Sequence, residues 1–133
     1  MSAIFIWPRR LTRILCILAW LSLSACGNDK PPEPTEQDVA RAESLRPTDA
    51  ALAERYERAC LTCHATRSAA PLTGFAPAWR PRLAQGLDVL VAHARDGFKG
   101  MPAKGLCSDC SEADLRGLIV FMSQATTAPT TAP

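Results

Sequence analysis

An all-α fold of about three to four short helices follows from three features of this 133-residue sequence. Apolar residues recur at helical intervals in three stretches of residues 48–124, and no stretch alternates apolar and polar residues as a strand does. Proline and glycine punctuate the segments between them, which marks loops. Finally, Cys60-Leu61-Thr62-Cys63-His64 closes the first helical stretch. Its chemistry implies a bound group that would staple so small a core.

The chain opens on a leader. Arg9, Arg10 and Arg13 precede the apolar run Ile14 to Leu23, and small residues then lead to Leu23-Ser24-Ala25-Cys26. Basic, apolar and small residues in that order form an export signal. The closing residues resemble the lipobox of bacterial lipoproteins. In those proteins the leader, here residues 1–25, is cut off before the cysteine, here Cys26, which carries acyl chains. An uncleaved anchor is disfavoured, because the run is shorter than the roughly 20 residues that cross a bilayer. Two or more acyl chains, in contrast, hold a protein stably. Cys16 leaves with the leader. Cys60, Cys63, Cys107 and Cys110 remain, in a compartment where disulfides persist, so each is expected to be bonded.

With lipidated Cys26, residues 26–47 read as a tether. Pro31, Pro32, Pro34 and Pro47 are interspersed with charges, a composition that buries no apolar face. Such a spacer spans about 25 Å as a coil and at most about 65 Å extended, with a short helix possible over Gln37 to Leu45. Formal charge is +2, from 15 basic and 13 acidic residues. Three of the basic residues lie in the leader, so the remainder is close to neutral and gives no support to nucleic-acid binding. No Walker loop, dinucleotide-binding glycine pattern or internal repeat is present.

The domain is expected over residues 48–124. Thr48 or Asp49 can cap its first helix, in which Leu52, Tyr56, Ala59 and Cys63 form the apolar stripe. Two thiols three residues apart, followed at once by an imidazole, form the C-x-x-C-H pattern for covalent attachment of c-type haem. Each thiol makes a thioether with one vinyl group, and residues three apart share a helix face. His64 is then the proximal iron ligand. A metal site or a redox dithiol are the other readings of the motif alone.

Residues 65–83, with Pro71, Gly74, Pro77 and Pro81, are expected to be loop. Leu87, Leu90, Val91 and Ala94 mark a second helix that stops at Gly97. Within it, His93 lies beside the apolar stripe and reads as a surface histidine. Met101 stands in the loop Gly97-Phe98-Lys99-Gly100-Met101-Pro102, where no helical packing explains it, and Pro102 restricts it to extended geometry. Met101 is therefore the candidate sixth ligand. A thioether in that position raises the potential and favours electron transfer.

Cys107-Ser108-Asp109-Cys110 repeats the cysteine spacing without a histidine, so a second haem would lack its proximal ligand. A disulfide clipping the loop is the preferred reading, and a redox dithiol the alternative. Ser111 to Asp114 resembles a capping box. Leu115, Leu118, Ile119 and Met122 then make one buried stripe of a third helix, with Met122 as core filler. Residues 125–133 (ATTAPTTAP) carry no apolar periodicity and are expected to be a disordered tail.

These residues together resemble the class I c-type cytochromes, most nearly the small c-five-like branch. The matching stretches are Cys60-x-x-Cys63-His64, Ala78-Trp79-x-Pro81-Arg82-Leu83-Ala84-Gln85-Gly86, Gly97-x-x-Gly100-Met101-Pro102 and Gly105-x-Cys107-x-x-Cys110-Ser111. The resemblance implies an all-α fold around one haem, first and last helices crossing beside it, and His64/Met101 ligation. It also implies a Cys107–Cys110 disulfide. Pro71 is matched to the proline whose carbonyl orients the proximal imidazole. Trp79 and Arg82 are matched to haem-contacting residues, with propionate bonding in view.

The expected function is a membrane-tethered, periplasm-facing single-haem electron carrier, not an enzyme. It would serve redox proteins of a respiratory chain and take no nucleic acid or small-molecule substrate. The lipid would hold it to the inner or outer membrane of a bacterium. Arg95, Lys99 and Lys104 are candidates to ring the haem edge and steer acidic partners. Competing readings are a fixed electron-input or output subunit of an oxidase or reductase, a gas sensor with displaceable Met101, and a zinc module using the four cysteines.

Overall fold

The computed structural model describes residues 32–124; the leader, Cys26 and residues 125–133 lie outside the described residues. Among the described residues five helices follow one another: α1 (Glu36–Ser44), α2, α3 (Ala76–Leu83), α4 (Leu87–Asp96) and α5 (Glu112–Gln124). Helix α2 is composite, an α-helical Ala50–Arg55, a π-helical turn Tyr56–Cys60 and a last turn Leu61–His64. A 3₁₀ turn, Ala103–Leu106, precedes α5. Among the described residues only one isolated bridge, Phe98 to Met101, is β-like.

The stripes read from α4 and α5 are the ones buried. Leu90, Val91 and Ala94 of α4 meet Leu115, Leu118, Ile119 and Met122 of α5 in one cluster with Tyr56, Cys60 and Trp79. Asp49 caps α2, accepting from the Leu52 amide at 2.8 Å. Ser111 and Asp114 exchange bonds at the start of α5, Ser111 N to Asp114 Oδ2 at 2.9 Å and Asp114 N to Ser111 Oγ at 3.1 Å. Helices α2 and α5 approach closely at Gly117, where a Cβ would stand 3.1 Å from Leu52 Cδ1. Tyr56 packs edge-on against Phe121 nearby, with ring centres 5.0 Å apart.

The structure departs from the sequence reading in three places. First, the stripe of α2 was expected at Leu52, Tyr56, Ala59 and Cys63. The π turn takes one extra residue, the Leu61 amide bonding to Tyr56 O, five residues back. Beyond Tyr56 the inward positions therefore shift by one, so Cys60 and His64 are buried while Cys63 is exposed. Second, residues 76–83, expected as loop, form α3. Pro77 falls in its first turn, where no amide bond is required. Pro81 forgoes one bond, and the burial of Trp79 offsets that loss.

Third, the short helix held possible over Gln37 to Leu45 of the expected tether is present as α1, but it is docked on the domain rather than solvated. Thr35 and Asp38 form a capping box at the start of α1, and Ala42 is wholly buried against Ala65, Leu72 and Phe75. A nine-residue helix is too short to persist alone in water, so docking holds it.

Candidate haem site

Hydrogen bonds from several elements converge on the segment from Pro71 to Gly74, which lies beside His64. His64 Nδ1 is 2.9 Å from Pro71 O. A carbonyl only accepts, so Nδ1 carries the proton and Nε2 presents a lone pair. Thr73 N donates to His64 O at 2.7 Å, and Gly74 N to Met122 O at 2.8 Å. The Tyr56 and Thr73 hydroxyls pair at 2.9 Å in full burial. Trp79 Nε1 donates to Leu72 O at 2.9 Å, and its ring stacks 6.2 Å from the His64 ring. Burial, with Pro71 opposing and the Arg82 charge adding, holds the His64 imidazole below its usual range, hence neutral and able to ligate.

Cys60 and Cys63 are unpaired thiols. Burial, and to a lesser degree Cys63, pushes the Cys60 thiol up to about 11. Met101 is half-buried and packs against the cluster that contains Cys60 and Trp79. Its backbone is pinned to Phe98 by two bonds of 2.9 Å around Lys99-Gly100, where Lys99 takes a positive φ of 54°. Cys107 and Cys110 are joined in a disulfide and buried. That bond takes two of the four cysteines that a zinc module needs. Among the described residues no group of three or more His, Cys, Asp and Glu converges as a metal cage.

The donor set fits a covalently held haem. Two free thiols stand at thioether spacing, the neighbouring imidazole has its tautomer fixed, and a thioether loop packs on the same apolar cluster. Trp79 Nε1, matched above to a haem contact, donates to Leu72 O, and Arg82 donates to Ala78 O within α3. Arg95 is held by Asp96 and Glu112, and Lys104 Nζ donates to Ser108 O at 3.1 Å and Cys110 O at 3.0 Å, while Lys99 lies over the Phe98 ring. His93, read as a surface residue, is half-buried and stacked on Phe98 with ring centres 3.9 Å apart.

Sequence reasoning passed over Leu72, Thr73 and Arg41 and read Tyr56 only as part of an apolar stripe; all four act through bonds to residues remote in the chain. Arg41 Nη2 donates to Gly74 O at 3.0 Å. For Arg41 the local signal was the short helix possible over Gln37 to Leu45, to which Thr35-x-x-Asp38 adds a capping box.

A small all-α scaffold that presents C-x-x-C-H beside a carbonyl-oriented histidine defines a class I c-type cytochrome. Residues 47–122 match the family model described as cytochrome c oxidase, cbb3-type, subunit III. The chain is 39% identical over 72 residues to cytochrome c-555 of Chlorobaculum tepidum, covering 50% of this chain and 67% of that one. It is 42% identical over 67 residues to cytochrome c5 of Azotobacter vinelandii, covering 48% and 81%. A solved structure described as the electron transfer complex of nitrite reductase with cytochrome c superposes with a TM-score of 0.53 at 40% identity, covering 59% of this chain and 98% of that one. The chain belongs to the cytochrome c family, and its cofactor is one covalent haem c.

Proposed function

We propose that this chain is a lipid-tethered, periplasm-facing carrier that passes single electrons between redox proteins of a respiratory chain, with iron held between His64 and Met101. Bound haem supplies an iron that exchanges one electron. The chain's own residues supply the rest. Cys60 and Cys63 would hold the group, His64 would ligate its iron through Nε2 with its ring fixed by Pro71 O, and Met101 would supply a second ligand. The observation that carries this reading is the His64 Nδ1–Pro71 O bond, because it gives the motif's histidine a ligating tautomer. Cys26 is the lipidation site. Helix α1 takes residues 36–44 of the expected tether into the folded part of the chain.

The first test is haem staining of the denatured protein, with absorption spectra of wild type and Met101→Ala. A stained band and a wild-type low-spin spectrum are expected. The Met101→Ala ferrous protein should then bind carbon monoxide, which the wild type excludes. A Met101→Ala protein that keeps the wild-type spectrum and excludes carbon monoxide removes Met101 from the iron. A second reading, a fixed cytochrome subunit of a larger oxidase or reductase, is favoured by the oxidase-subunit model that matches residues 47–122. Stoichiometric co-purification with a membrane complex would select it over the free carrier.

A further inference from the structure

Helix α1 lies before the residues matched by the family model, which begin at residue 47, yet it is bonded to the segment that orients His64. Ala42 is wholly buried, and with Val39 it covers Ala65 and Leu72, the residues that follow His64 and Pro71 in the chain. Arg41 holds Gly74 O from one side while Met122 O holds Gly74 N from the other, at 3.0 and 2.8 Å. Arg67 reaches back to the helix start, with Nη1 to Pro34 O at 2.6 Å and Nη2 to Glu36 Oε1 at 2.8 Å. The connector after α1 is fastened too, since Arg46 Nε donates to Glu57 Oε1 at 2.6 Å. These contacts are more than a passing spacer needs.

We infer that α1 is a proximal brace: by gripping Gly74 through Arg41 and covering Ala65 and Leu72 with Ala42, it positions His64 through Pro71 and shields the proximal side from water. Arg41 and Ala42 are thus positioning residues, and the inference rests on the carrier reading above. Oxidised iron carries one more positive charge than reduced iron, and water stabilises charge better than an apolar cover. Undocking α1 therefore favours the oxidised form.

The test uses full-length, haem-loaded protein and reads two quantities: amide hydrogen exchange at Thr73 and Gly74, and the midpoint potential. Ala42→Asp places a carboxylate in a wholly buried position, whereas Ala40→Asp on the exposed face is the control. Ala42→Asp should exchange at least tenfold faster at both amides. Its reduction equilibrium should move about threefold toward the oxidised form, about 30 mV by the one-electron constant. Arg41→Ala should shift both readouts in the same direction by less, Arg41→Lys should restore them, and Ala40→Asp should match wild type. The brace is overturned if Arg41→Ala and Ala42→Asp keep wild-type values, or if exchange accelerates while the midpoint stays put or rises. Arg41 is 43% exposed, so Arg41→Ala decides the matter if Ala42→Asp does not accumulate. A wild-type protein with no reversible one-electron couple overturns the carrier reading, and with it the potential-setting role of α1.

Discussion

The Tyr56–Thr73 hydroxyl pair offers the sharpest quantitative prediction. Both residues are wholly buried, and the hydroxyls meet at 2.9 Å. Tyr56→Phe keeps the ring against Phe121 and leaves the Thr73 hydroxyl buried without a partner. Thr73→Val does the converse. Each single change should cost about 1–3 kcal/mol, the penalty of one unsatisfied buried hydroxyl. The double variant removes both groups, so its cost should fall well short of the sum of the singles. For a domain of this size 1 kcal/mol moves the melting temperature by about 4–8 °C. Thermal unfolding of the four haem-loaded proteins, followed by far-UV circular dichroism, supplies the cycle. Additive losses, or single variants melting within about 2 °C of wild type, would refute the reasoning. Because the Thr73 amide also bonds His64 O, both single variants should speed exchange at that amide.

Two further outcomes follow from backbone geometry and charge. Gly97 has a φ of 88°, and a Cβ there would stand 3.0 Å from Ala103 N and 3.1 Å from Met101 O, whereas Gly86 at 96° has open space. Both alanine variants bear the cost of a backbone region with positive φ and extended ψ that is essentially glycine-only, about 1–3 kcal/mol. Gly97→Ala should be the less stable in denaturant titration, and it alone should disturb the Met101-dependent spectrum. On acidification, stability should decline beneath the ordinary carboxylate value of 3.8, as Asp38 and Asp114 lose the hydroxyl and amide bonds that hold them below it. Denaturant titrations from pH 8 to 3 check this, and stability that rises as the pH falls below that value would contradict it.

Short-range patterns carried much of the fold and the core of the site. The stripes of α4 and α5, the caps at Asp49 and Ser111, the C-x-x-C-H motif and the isolated Met101 depend on residues a few positions apart. Their spacing alone exposes them, because a helix face or a thioether pair is a local geometric requirement. The haem, the family and the all-α class were legible for the same reason.

Tertiary structure decided what spacing could not. The π turn rotates the motif by one position, turning Cys60 and His64 inward and Cys63 outward, through a backbone choice that no sequence period encodes. Trp79 supplies enough burial to keep α3 helical despite two prolines. A segment with the composition of a solvated tether becomes α1 because Ala42 and Arg41 find Leu72, Ala65 and Gly74, about thirty residues away in sequence. Lys104, which looks like a free surface charge, is spent on the carbonyls of the disulfide loop. In each case the deciding free energy comes from burial and hydrogen bonds between parts of the chain that are distant in sequence, and these exist only after the chain has folded.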